Sequence, residues 1–198
     1  MDKITRKEQK EKTRAGLVIQ AEVLFARHGI SSTTTADIAK ALKVSHGTLF
    51  VHFPTRDDLI KAVVDEFGEK LSAALGDRCS EDLKLKELLK AHISVLAEFE
   101  DFYLRLISES QSLPPHIRSI FYAINASLSY RFYRAAKADM DKGAIKKMTQ
   151  IQFFNTWMSL VQYHVMNRDL FSEKTPILNE IGDELLKQFF YLIKRSEK

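Results

Sequence analysis

Between Thr33 and Phe53, in TTTADIAKALKVSHGTLFVHF, the apolar residues fall into two short helical registers separated by a tight turn. Ile38, Ala39 and Leu42 share one side of the first helix, and Ala39 is small enough to let a second helix cross close by. Val44 plugs the turn, Ser45 is a good N-cap, and Leu49 and Phe53 return the second helix to the same core. Ser45, His46, Gly47, Thr48 and His52 are left on other faces. The pattern is a helix-turn-helix. A free-standing bundle has no use for a short helix whose outer face is small, uncharged and hydrogen-bonding, whereas the floor of a DNA major groove calls for one.

Seven glycines and four prolines in 198 residues, with 45% hydrophobic residues, predict long helices, few turns and an all-α fold of one or two compact domains. The chain has no apolar run of about 18 residues and no charged-then-apolar leader, which predicts no membrane span, no signal peptide and a cytoplasmic location. Its single cysteine, Cys79, suits a reducing compartment. Up to Arg56 there are ten basic and five acidic residues, a surplus of five, while the whole chain carries +4. A basic head therefore precedes a near-neutral body, as in a nucleic-acid-binding module joined to a domain with another task.

Residues 1–14 are charged and aperiodic and are expected to form a frayed arm. Leu17, Ala21, Leu24, Phe25 and His28 then mark a helix ending at Gly29. The segment FARHGISSTTTADIAKALKVSHGTLFVHFPTRDDL resembles the DNA-binding domain of the TetR family of bacterial regulators. The matching residues are Phe25, Gly29, Thr34, Thr35, Ile38, Ala39, Ala41, Val44, Ser45, Gly47, Thr48, Leu49, His52, Phe53, Arg56 and Leu59. They span about the first third of the chain. Lys43 stands where the family usually has a turn glycine, Phe50 where it commonly has tyrosine, and Arg56 replaces a common lysine. For a DNA partner, Thr34, Thr35, Lys40, Lys43, His52 and Arg56 are the expected phosphate contacts. Ser45, His46, Gly47, Thr48 and Phe50 are the expected base-edge readers.

A helix from Arg56 to Gly76 carries the stripe Leu59, Ala62, Val63, Phe67, Leu71 and Leu75, and is expected to link a head, residues 1–64, to a body, residues 65–198. In the body, Leu85 to Phe99 form one amphipathic helix, with a kink before Phe102 to Ile107. Pro114 and Pro115 open a long helix that stops at Lys142-Gly143, and two further helices run over 149–166 and 176–194. These last two carry apolar residues over more than the arc of about 100° that faces a single core, which predicts pairing with a second copy in a four-helix bundle. The resemblance implies the same homodimer.

The body also presents polar groups on apolar faces: His92, Tyr103, Arg105, Tyr122, Asn125, Gln152, Trp157, Gln162, Tyr163 and His164. His92, Tyr103, Tyr122, Asn125, Trp157, Tyr163 and His164 are the candidate contacts for a small hydrophobic or amphipathic effector. No glutamate stands three residues before any of the six histidines, and no phosphate loop or nucleophile elbow is present, so no metal, cofactor or catalytic site is expected. The expectation is a ligand-responsive transcriptional regulator, a repressor released from a palindromic double-stranded operator. The alternatives are a helix-turn-helix that binds protein instead of DNA and, third, a small all-helical enzyme.

Overall fold

The computed structural model describes residues 5–76, 84–171, 173 and 176–195; Cys79 and Ser172 lie outside them. Its helices are α1 (Arg6–His28), α2 (Thr35–Ala41), α3 (His46–His52), α4 (Arg56–Gly76), α5 (Leu85–Glu98), α6 (Glu100–Glu109), α7 (Pro115–Asp141), α8 (Gln150–Met166) and α9 (Ile177–Ile193). Among the described residues there is no strand, only one isolated bridge between Ile145 and Lys194. The chain divides into two compact units: Met1–Phe67 with Asp101–Ile120, and Gly68–Glu100 with Phe121–Lys198.

In the first unit α1 begins at Arg6, well inside the stretch expected to fray. The reason is a capping box: the Thr5 side chain accepts the Glu8 N–H at 3.2 Å, and the Glu8 carboxylate accepts the Thr5 N–H at 2.6 Å. Leu17, Val18, Ala21 and Phe25 bury the inner face of α1. A second capping box, between Thr34 and Asp37, starts α2, and its hydrogen bonds hold the Asp37 carboxyl below the usual carboxylate range. Lys43 turns the chain with φ 57°, and Val44 N–H then closes on the Ala39 carbonyl at 3.0 Å. Ser45 caps α3 by accepting the Thr48 N–H at 3.0 Å.

The second unit is assembled on α9, which packs against both α5 and α8. Gly182 makes the α5 approach possible, since a Cβ there would sit 2.8 Å from the Ile93 Cγ2. Trp157 packs edge to face on Phe189, as does Phe153. Pro176 offers α9 no side-chain cap, and the buried Glu100 takes that role: its carboxylate accepts Ile177 N–H at 2.8 Å and Leu178 N–H at 2.9 Å. Arg168 lies 3.6 Å from the same carboxylate. Packing α9 on two neighbours absorbs most of its wide apolar arc within the chain: Leu178, Leu185, Leu186, Phe189 and Ile193 are all buried. Tyr191 and Leu192 on α9, with Tyr163 and Met166 on α8, remain exposed.

A lysine held at positive φ carries strain that glycine would not, on the order of 1 kcal/mol. Lys43→Gly is therefore expected to raise stability by about 1 kcal/mol in a denaturant titration. An unchanged or lowered midpoint would show that the turn is not strained.

Candidate nucleic-acid interface

α3 has seven residues, too few to persist as an isolated helix. It is held by Leu49 and Phe53, both buried, and by the Ser45 cap. With that side fixed, the opposite side is determined: Phe50 is 40% and Val51 71% exposed, and Ser45, His46 and Gly47 are also exposed. Gly47 is not required by internal packing, because a Cβ there would meet only the Ser45 Oγ, at 3.8 Å.

The individual side chains differ in freedom. His46 Nε2 lies 2.8 Å from Thr35 Oγ1, tying α3 to α2, and the His46 ring stands edge to face on Phe50 at 4.8 Å. Thr48 is half-buried, with its hydroxyl 2.8 Å from the Ser45 Oγ. Thr34 is occupied as the cap of α2, while Lys40 and Lys43 are exposed. Arg56 is turned inward: its guanidinium donates to the carbonyls of Ile30 and Thr33 in the α1–α2 turn. His52 is half-buried, and burial first, then the nearby charges of Lys10 and Arg14, push its pKa below the ordinary histidine value.

Three features of this surface escaped the sequence reading. Val51 is apolar and lies in a helix whose inward positions are already taken by Leu49 and Phe53, a surplus that marks it as outward-facing. Lys10 and Arg14 fall in the charged stretch expected to fray, but α1 carries them beside His52, and the Arg14 guanidinium sits 4.8 Å from the centre of the Phe53 ring. Glu109 and Arg105 are the third: Glu109 holds the turn between α1 and α2, and Arg105 the last turn of α1.

The candidate effector contacts do not converge as one set. His92 and Trp157 meet in the interior of the second unit, where the Trp157 indole N–H donates to His92 Nδ1 at 3.3 Å and Phe132 stands edge to face on the imidazole at 5.1 Å. The His92 Nε2 is buried without a hydrogen-bond partner. Burial pushes the His92 pKa down to about 3. Asn125 bonds back to the Phe121 carbonyl at 3.0 Å, and Tyr122 is exposed on the same helix. Tyr163 and His164 form a ring cluster with Phe171, and Tyr103 is buried in the first unit, 6.1 Å from Phe67. Among the described residues no group of three or more His, Cys, Asp or Glu side chains is placed to hold a metal ion, and no helix is long and apolar enough to cross a membrane.

Fold and surface together define an all-helical protein with an N-terminal helix-turn-helix. The sequence profile of the bacterial regulatory proteins of the tetR family matches residues 17–63. Over 88 residues the chain is 39% identical to the HTH-type transcriptional repressor Rv3405c of Mycobacterium tuberculosis, covering 44% of this chain but only 46% of that relative. Over 184 residues it is 22% identical to the biofilm operon regulator IcaR of Staphylococcus epidermidis, covering 89% of this chain and 95% of that one. A transcriptional regulator of Saccharomonospora viridis, solved in complex with choline, shares the fold with a TM-score of 0.78 at 16% identity, over 94% of this chain and all of that one. The helix-turn-helix region, residues 17–63, is thus of the kind found in the tetR family of bacterial regulatory proteins, and the chain spans about half the length of curated relatives such as Rv3405c.

The interior histidine gives a measurable consequence. The unfolded chain takes up a proton at this side chain below about pH 6.5, and the folded chain refuses it until about pH 3. His92 thus contributes its full stability above pH 6.5 and loses about 1.4 kcal/mol for each unit below that. Denaturant titrations from pH 7.5 to 5 are expected to show this extra slope in the native chain and not in His92→Gln. Equal slopes in the two proteins would contradict the buried, neutral assignment.

Proposed function

We propose that this chain is a cytoplasmic, homodimeric transcriptional repressor. Its residues 1–64 bind double-stranded DNA, and its residues 65–198 dimerise and take a small, mainly apolar effector. The observation that carries the reading is the outward side of α3, where Gly47, Phe50 and Val51 are exposed on a helix whose other side is locked into the core. In a duplex this side enters the major groove, where Phe50 and Val51 suit thymine methyl groups and His46 and Ser45 suit base edges. Lys10, Arg14, Lys40, Lys43 and His52 surround it as phosphate contacts, whereas Arg56 acts mainly on the α1–α2 turn.

Two heads reading a palindromic site stand about 34–36 Å apart, which requires a dimer of fixed geometry. The exposed Tyr191 and Leu192 of α9 support pairing through the last two helices, beside a groove of about 510 Å³ that Leu160 and Gln188 also line. The unpartnered His92 Nε2, among aromatic rings, supports an effector that is mostly apolar and carries one hydrogen-bonding group. A related fold solved with choline is in keeping with small-molecule binding. Such an effector releases DNA by its preference for one of two states, acting through α4, which runs through both parts of the chain.

The test is binding to a duplex of the chain's own upstream region, measured over a series of salt concentrations. A steep negative salt slope is expected, and Lys10→Ala and Lys43→Ala are each expected to reduce that slope by about one. Binding is also expected to tighten as pH falls through the range where His52 takes up a proton, since a phosphate raises the pKa that burial, and then Lys10 and Arg14, lower. Failure to bind any duplex at low salt, with a protein partner retained instead, would favour the protein-interaction reading.

A further inference from the structure

The turn at residues 29–33 feeds the helix-turn-helix from α1, and charged side chains hold its backbone from outside. The Glu109 carboxylate accepts the N–H of Ile30 at 3.1 Å and of Ser31 at 2.7 Å. One turn earlier on α6, Arg105 donates to the carbonyls of Ala26 at 3.3 Å and Arg27 at 3.5 Å, in the last turn of α1. Ile30 is gripped on both sides, because its carbonyl accepts from Arg56. Each sign matches the backbone it meets: the Arg105 guanidinium faces carbonyls of a helix C-terminus, the Arg56 guanidinium faces carbonyls of the turn, and the carboxylate faces two consecutive amides. Gly29 makes the approach possible, since it takes φ 94° and a Cβ there would lie 2.8 Å from the Glu109 Oε1.

We propose that Arg105 and Glu109 are positioning residues for the helix-turn-helix: by fixing the α1–α2 turn they set the direction in which α2, and α3 tied to it through Thr35 and His46, leaves α1. Two helices of seven residues each cannot set that direction alone. Their placement is defined by the Ile38, Ala39 and Leu49 contacts and by the turn that precedes them. The DNA-contacting unit is therefore completed by side chains 78 and 79 positions further along the chain, in agreement with the grouping of Asp101–Ile120 with Met1–Phe67. This inference rests on the DNA-binding reading of the first unit.

Glu109→Gln provides a test in which positioning and plain electrostatics have opposite signs. Removing a negative charge makes the chain more positive, so unaided electrostatics would tighten its hold on DNA. A positioning role weakens it. With the full chain and a mixed-sequence duplex at low salt, well below the melting temperature, Glu109→Gln is expected to bind about ten-fold more weakly, with a shallower salt slope. The exposed-acid control Glu98→Gln is expected to bind as tightly as the native chain or slightly more so. In the free protein the amides of Ile30 and Ser31 are expected to lose hydrogen-exchange protection in Glu109→Gln. Should that variant not fold, Glu109→Asp, which keeps the charge but withdraws the carboxylate by one methylene, carries the same readouts. Unchanged or tighter binding by the folded variant would overturn the proposal, as would retained protection of both amides. A native chain that binds no duplex would overturn the DNA reading, while amide exchange would still decide whether Glu109 holds the turn.

Discussion

A helix of seven residues has no stability of its own, and the first unit depends on how α3 is fastened. Leu49 and Phe53 sit fully in the core, Ser45 closes the first turn, and the Thr35–His46 contact at 2.8 Å joins α3 to α2. Because the inner side is fixed, the outer side is presented in one orientation without any ordering step on binding. A surface arranged in advance loses less conformational entropy when it meets a rigid groove. Phe50 and Val51 can remain exposed because they are few and bounded by polar and basic neighbours.

The basic residues are placed according to the same frame. Lys10 and Arg14 reach the neighbourhood of His52 only because α1 is helical from Arg6 onward, and that early start is set by the Thr5–Glu8 box. Arg56, by contrast, spends its guanidinium on two carbonyls of the α1–α2 turn. A charged residue in a basic head can thus serve backbone geometry instead of an outside anion, and its hydrogen-bond partners separate the two roles. The second unit applies the same chemistry with the opposite charge, where the buried Glu100 supplies the cap that Pro176 cannot.

Most of the helical plan was legible in the sequence, because glycine, proline and capping residues punctuate strong apolar periods. The α4 span from Arg56 to Gly76, the break between α5 and α6, and the strained turn at Lys43 all follow from local chemistry. What was not legible depends on contacts distant in sequence. Glu109 looks like any solvated acid on a helix until its two amide partners, 78 and 79 positions earlier, come into view. Likewise the polar residues of the later helices looked like one set, yet His92 meets Trp157 in the interior while Tyr163 and His164 cluster with Phe171, since a helical period says which side a residue takes and not which neighbour it meets. The wide apolar arc of α9 was clear, but its division between α5, α8 and exposed surface was not.

The central claim is that the outer side of α3 meets duplex DNA. Backbone amide shifts, followed by NMR as a duplex is added to the full chain, test it most directly. The account predicts that the largest changes fall at Thr34 and Thr35 and from Ser45 to His52, with smaller ones near Lys10 and Arg14. Saturable binding that leaves Ser45 to His52 unmoved and shifts another surface instead would contradict it.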